Sequence, residues 1–221
     1  MPQKPAKQGL NIVVLGQFNP AIFHPVWFAA QDLIRSQEAE NAEIQLIHPD
    51  AAIFQIDWAR IHIVRERFQA GTPQEPYFEP LRDLVSGVFS LLGHTPTRAL
   101  GINWEFHYRL TSEKIWHQVG HQLAPKDVWK DLLNAPGTRS LVIEGERSDG
   151  RSGYIRAKVE PSSKIEYGVN IEVNDHYDLE GDSKSASRTD RLIEILSENW
   201  NESMRRAHEI AEKIAGLGDH V

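Results

Sequence analysis

Leu100-Gly101-Ile102-Asn103-Trp104-Glu105-Phe106-His107-Tyr108 alternates without a break. Ile102, Trp104, Phe106 and Tyr108 fall on one side, and Asn103, Glu105 and His107 on the other. A side-chain period of two belongs to a β-strand, so this stretch reads as a strand with one face in the core and one face free. Downstream, Thr111 or Ser112 caps a helix whose stripe is Ile115, Trp116, Val119 and Leu123 and which Pro125 ends. A second short helix is expected over 126–133. Three strands follow, near 140–147, 153–160 and 167–177. The first two are joined by Ser148-Asp149-Gly150-Arg151, a hairpin turn because Asp-Gly tolerates positive φ. A polar loop over 178–187 then leads to one long last helix, 190–216.

Upstream, the pattern has already run once. A strand over 10–18 enters a helix over 25–40, with Val26, Trp27, Ala30, Leu33 and Ile34 at three-to-four spacing. Strands near 42–47, 51–58 and 60–69 precede a helix over 76–92, whose core stripe includes Phe78, Leu81, Leu84, Val85, Val88 and Phe89 and which stops at Gly93. The halves overlay at residue level. An offset of 90 places Leu10-Asn11-Ile12 on Leu100-Gly101-Ile102, 109 places Val64–Phe68 on Val173–Tyr177, and 111 places Leu81, Leu84, Val85 and Phe89 on Leu192, Ile195, Leu196 and Trp200. The expected fold is therefore α+β, a largely antiparallel sheet made of two related β-α-β-β-β-α halves with the helices packed on one side. A polar tail (1–9), an N-terminal half (10–96) and a C-terminal half (97–217) are expected to form one compact unit. In element order this is similar to the saddle of the TATA-box-binding protein fold, without the basic surface that DNA would need.

With 24 Lys+Arg against 31 Asp+Glu the chain carries a formal charge of −7, so a phosphate backbone meets net repulsion and nucleic acid is not the expected partner. The absence of cysteine excludes disulfides, thiolate nucleophiles, Cys-ligated zinc and iron–sulfur clusters. The only apolar run near the N-terminus, Ile12 to Leu15, is far shorter than a signal segment or a membrane span. A soluble cytoplasmic protein with no membrane association is expected.

Two clusters carry residues capable of chemistry. His117-Gln118-Val119-Gly120-His121 sets two imidazoles at i and i+4, but a metalloprotease helix needs Glu where Gln118 stands, and the pair reads as a solvated face. Asn174-Asp175-His176-Tyr177, followed by Asp178, Glu180 and Asp182, gathers carboxylates, an imidazole and a phenol at a strand end without the spacing of a calcium loop. Arg60, Arg65 and Arg67, interleaved with Trp58 and Phe68, are interrupted by Asp57 and Glu66 and read as a salt-bridged sheet surface. There is neither a Gly-rich phosphate loop after a strand nor a Gly-x-Ser-x-Gly elbow. No catalytic residue, metal or cofactor is assigned. The candidate binding residues are Asn103, Glu105 and His107 on the free strand face, and Asn174, Asp175, His176 and Tyr177 at the strand end. Binding there requires a concave face clear of the chain's own helices.

The Leu100–Tyr108 strand, with Val173-Asn174-Asp175-His176-Tyr177 and a long terminal helix after it, resembles a sporadically distributed family of uncharacterised bacterial proteins. In that family a mid-chain strand likewise opens with Leu-Gly, and the C-terminal helix likewise follows a strand ending in Asp. The resemblance covers the C-terminal half, and members usually carry Arg where this strand has His107 or Tyr108. It implies an accessory role of the toxin–antitoxin or phage-defence kind. It implies no catalytic residues. A second resemblance, in strand content and the terminal helix, is to SecB-type export chaperones. The function expected is non-catalytic binding of another protein, with a homodimer as one candidate assembly. An enzyme using the 174–177 strand end or the His117/His121 pair is the alternative, and nucleic-acid binding across a curved sheet comes third.

Overall fold

The computed structural model describes residues 4–180 and 187–219. In the N-terminal half, β1 (Lys7–Gly16) is followed by α1 (Pro25–Ala30), α2 (Ser36–Glu40), β2 (Glu43–His48), β3 (Ala51–Gln55), β4 (Arg60–Val64), β5 (Arg67–Thr72) and α3 (Phe78–Leu91). In the C-terminal half, β6 (Thr97–Arg109) is followed by α4 (Glu113–Leu123), β7 (Leu141–Glu146), β8 (Gly153–Pro161), β9 (Gly168–Asp178), α5 (Arg188–Glu198) and α6 (Trp200–Ala215). Among the described residues the strands form a single antiparallel sheet of nine, in the order β2-β3-β4-β5-β1-β6-β9-β8-β7. Each half therefore places its first strand at the centre and its later strands outward in reverse order.

Ile12 pairs directly with Ile102, so a local two-fold axis relates β1 to β6 with the offset of 90 read from the sequence. The flanking strands correct the second offset. Ile12 pairs with Ala70 and Ile102 with Asp175, so β5 and β9 correspond at 105, not 109. Val64–Phe68 is not one strand but the junction of β4 and β5, where Val64 pairs with Arg67 around the two-residue turn Arg65-Glu66. Neither turn residue has positive φ, so the turn needs no Gly or Asn and leaves no mark in the sequence. The carbonyls of Arg65 and Glu66 are instead taken by the N–H groups of Phe18 (2.8 Å) and Gly16 (3.1 Å). The N-terminal half thus has one strand more than the three read after its first helix.

The helices that cover the sheet lie on one side. Leu10, Ile12 and Val14 of β1 and Leu100, Ile102, Trp104, Phe106 and Tyr108 of β6 point to that side and are buried. So are Leu81, Leu84, Val85 and Phe89 of α3 and Leu192, Ile195 and Leu196 of α5, the stripes equated at offset 111. The helices α3 and α5 pack on each other. Trp104 fills the centre, edge-on to Phe78 at 5.6 Å, against Trp200 at 5.2 Å, and donating Nε1–H to Ser203 Oγ at 3.0 Å.

Other boundaries differ for local reasons. The helix expected over 25–40 breaks into α1 and α2 because Asp32 takes a left-handed φ of 54°. α2 restarts with Glu38 Oε2 accepting the Arg35 N–H. The last helix breaks at Asn199 (φ −98°, ψ 0°) into α5 and α6. The helix expected over 126–133 is reduced to a 3₁₀ turn, Asp127–Trp129. β1 begins at Lys7, inside the expected polar tail, because the Ala6 N–H already bonds the His107 carbonyl. In β2, a register shift between Ile44 and Leu46 leaves Gln45 unopposed. Of the expected polar loop, 181–186 lie outside the described residues, Asp182 among them. No helix among the described residues is long and apolar enough to cross a membrane.

Candidate functional site on the open face of the sheet

Strand alternation sends the odd-numbered residues of β1, β5 and β6 and the even-numbered residues of β8 and β9 to the face without helices. Asn11, Gln69, Asn103, Glu105, Arg156 and Asn174 line a cleft there of about 520 Å³, with Val13, Leu15 and Tyr154 as its apolar wall.

The floor is a row of amides. Asn11 pairs with Asn103, Asn103 with Asn174, and Asn174 with Arg156, so four adjacent strands present polar side chains in line. Asn174 Nδ2 donates to Asn103 Oδ1 at 2.5 Å, Asn103 Nδ2 donates to the Asn11 carbonyl at 3.1 Å, and Gln69 Nε2 donates to Asn11 Oδ1 at 3.1 Å. Asn103 is thus held by a backbone carbonyl and by Asn174, and Asn11 by Gln69, while among the described residues Asn11 Nδ2 and Asn174 Oδ1 make no hydrogen bond. Two glycines make the row possible. A Cβ at Gly71 would lie 2.1 Å from Asn11 Oδ1, and one at Gly101 would lie 3.0 Å from Asn174 Nδ2.

The C-terminal wall is flat and charged. His176 stacks on Tyr154 (4.3 Å, 13°), and the Arg156 guanidinium sits 4.7 Å from the Tyr154 ring centre while donating twice to Glu144 Oε2 (3.0 and 2.7 Å). Lys158 pairs with Glu160 at 2.8 Å. Arg156 and Lys158 are thus already neutralised by carboxylates of their own sheet.

The seven candidate residues are divided by the pleat. Asn103, Glu105, Asn174 and His176 line the cleft. His107 shares their face but is buried. Its Nε2 lies 2.7 Å from Glu105 Oε1 and its Nδ1 2.8 Å from Ser162 Oγ. Since a carboxylate only accepts, Nε2 donates to Glu105, and in the neutral imidazole Nδ1 then takes the Ser162 hydroxyl hydrogen. This brings together a serine, a histidine and a carboxylate that no sequence spacing revealed. Ser162 Oγ also accepts the Lys164 N–H (3.1 Å), and Lys164 Nζ reaches Glu105 Oε1 at 2.8 Å, so the chain anchors the turn after β8 to β6. Burial acts to raise the Glu105 pKa, but the hydrogen bonds from Lys164 and His107 outweigh it and hold the carboxyl below its usual 4.5.

Asp175 and Tyr177 lie on the opposite face, buried beneath α6. Asp175 Oδ1 pairs with Arg147, Oδ2 takes Arg206 Nη1 at 2.9 Å and the Tyr177 hydroxyl at 3.2 Å, and the Arg147 guanidinium lies 3.7 Å from the Tyr177 ring centre. Arg147 also binds Asp149. This cluster ties α6 and the β7–β8 hairpin to β9. Asp175 and Tyr177 are therefore parts of the scaffold, facing away from any occupant of the cleft.

His117 and His121 are exposed and face Glu113 (3.7 Å) and Asp127 (3.8 Å). Among the described residues no group of three or more His, Asp or Glu side chains is placed to hold a metal ion. Fold and site together define an α+β protein with one sheet face roofed by helices and the other open. No protein-family model matches the chain, and no curated protein is significantly similar to it.

Proposed function

We propose that the chain is a non-catalytic binding module that holds a segment of another protein in the cleft of its open sheet face. The observation that carries this reading is the row Gln69–Asn11–Asn103–Asn174 across four adjacent strands. Amide side chains donate and accept as a peptide group does, and they sit here between apolar side chains in a trough that, among the described residues, no helix lines. Within the cleft the charges favour protein over nucleic acid, because Arg156 and Lys158 are matched by Glu144 and Glu160 and would release little counterion to a phosphate backbone, and Arg60 and Arg67 lie outside the cleft lining. The cytoplasm is the proposed setting, and an accessory role in a bacterial defence system rests on the family resemblance alone.

A photo-crosslinking amino acid placed at position 13, in the apolar wall of the cleft, in cells of the native host should capture protein, whereas one placed at exposed Glu209 on α6 should capture far less. Adding Asn174→Ala should reduce the adduct at position 13 several-fold while leaving the melting temperature within a few degrees. Equal capture from both positions, or adducts that a nuclease removes, would defeat the reading. An adduct joining two copies of this chain would make the partner a homodimer.

A further inference from the structure

A second cleft lies on the helix side, beneath α4. Trp116, Val119 and Leu123 face Leu141, Val159 and Val169 of the outer strands across about 350 Å³. Gly120, in the same helix face, contributes no side chain, and a Cβ placed there would meet nothing within 4 Å. The space is therefore left between a helix and the sheet it covers, within the size range of small-molecule sites.

One polar group in its lining is out of balance. Lys130 pairs with Asp127, His117 and His121 face Glu113 and Asp127, and Glu160 pairs with Lys158. Half-buried Lys126 has no carboxylate within 4 Å among the described residues. Its ammonium donates to the carbonyls of Gly120 and Ala124 at the end of α4. An ammonium has three donors, so one is unused, and burial lowers the Lys126 pKa, as expected of a cation without a counter-charge.

We propose that this cleft binds a small carboxylic acid with an apolar body, the body beneath α4 and the carboxylate on Lys126. A 150 Å³ cavity holds one benzene, so 350 Å³ takes about fourteen heavy atoms, the size of a ten- to twelve-carbon acid. The site lies on the other side of the sheet from the amide row, and the inference does not depend on the reading of the open face.

Titration calorimetry with decanoate, decan-1-ol and decylamine tests it. Decanoate should bind the wild-type protein one to one, more tightly than the alcohol, and the amine should bind least. Lys126→Gln should weaken decanoate roughly ten- to a hundred-fold, the worth of a charged hydrogen bond, and leave the alcohol within about twofold. Gly120→Leu, which fills the cleft, should abolish binding of both. Val159→Phe provides the same blockade from the sheet side if the helix variant does not fold. No binding of decanoate at millimolar concentration to folded wild type would overturn the proposal. So would binding that survives the filled cleft, or equal weakening of acid and alcohol by Lys126→Gln.

Discussion

Asp175→Ala is expected to destabilise the fold more than most single changes at the sheet. The carboxylate is 1% exposed and meets Arg147, also 1% exposed, and Arg206, 13% exposed, so its removal leaves these two cations to share Asp149, with Glu202 on Arg206, against a low-dielectric wall. Breaking one side of a buried ion pair costs about 3–5 kcal/mol. In a chain of this length each kcal/mol moves the melting temperature by about 2–4 °C, so a fall of about 6–20 °C follows. Urea unfolding at pH 7, followed by tryptophan fluorescence, would measure it. Glu144→Ala serves as the control, since it breaks the exposed pair with Arg156 and should cost at most about 1 kcal/mol. The symmetry of the sheet supplies a second arm. Ala70 occupies the position equivalent to Asp175 and is buried without ions, so Asp175→Ala combined with Arg147→Met and Arg206→Met should recover much of the loss. A cost below about 1 kcal/mol for Asp175→Ala, or a triple variant no more stable than the single one, would refute the structural role given to the Asp175 cluster.

His107→Ala should cost about 1–3 kcal/mol by leaving Ser162 and Glu105 short of a buried partner, a loss visible in the same urea assay and contrary to the near-neutral effect expected of an exposed strand face. Glu105 and Asp149 both have depressed pKa values. For Asp149 burial acts to raise the pKa, and the hydrogen bond from Arg147 outweighs it. Their stabilisation is therefore full above their usual values of 4.5 and 3.8 and is lost as pH falls through the lower folded values. Lys164→Ala should move the acid limb of an unfolding-versus-pH curve upward, and an unmoved limb would contradict the assignment to Glu105. Burial, with Arg67 and Arg60 adding to it, lowers the His62 pKa below 6.5, so its NMR titration midpoint should lie below that value and rise in Arg67→Ala.

Where side chains alternate cleanly, sequence and structure agree closely. The 100–108 stretch lies inside β6 with its apolar face beneath the helices, and the Asp149-Gly150 turn joins β7 to β8, Gly150 taking a φ of 74°. What failed to show was local geometry without a compositional mark. The Arg65-Glu66 turn uses ordinary φ values, and the left-handed Asp32 interrupts a run whose apolar spacing continues across it. The site was half legible. Asn103 and Glu105 follow from the period of β6, but Asn174 and Asp175 are joined only by proximity in sequence, and the pleat sends neighbours to opposite faces. Asn11 and Gln69 are silent in the sequence because an isolated amide in a strand carries no signal until register places it beside others. The meeting of Ser162 with His107 depends on a turn 55 positions away.

The near-symmetry of the sheet stops at its open face. Across the axis at Ile12 and Ile102, one arm shows Arg60, His62 and Arg67, and the other shows Tyr154 stacked on His176 beneath Arg156. A trough with identical arms would accept an extended chain in either direction. With unlike arms, reversing the chain exchanges a cationic neighbourhood for an aromatic one at each end, so the two orientations differ in free energy. The near-symmetric backbone supplies the length of the open face, and the divergence of its arms would give a segment laid across it a polarity.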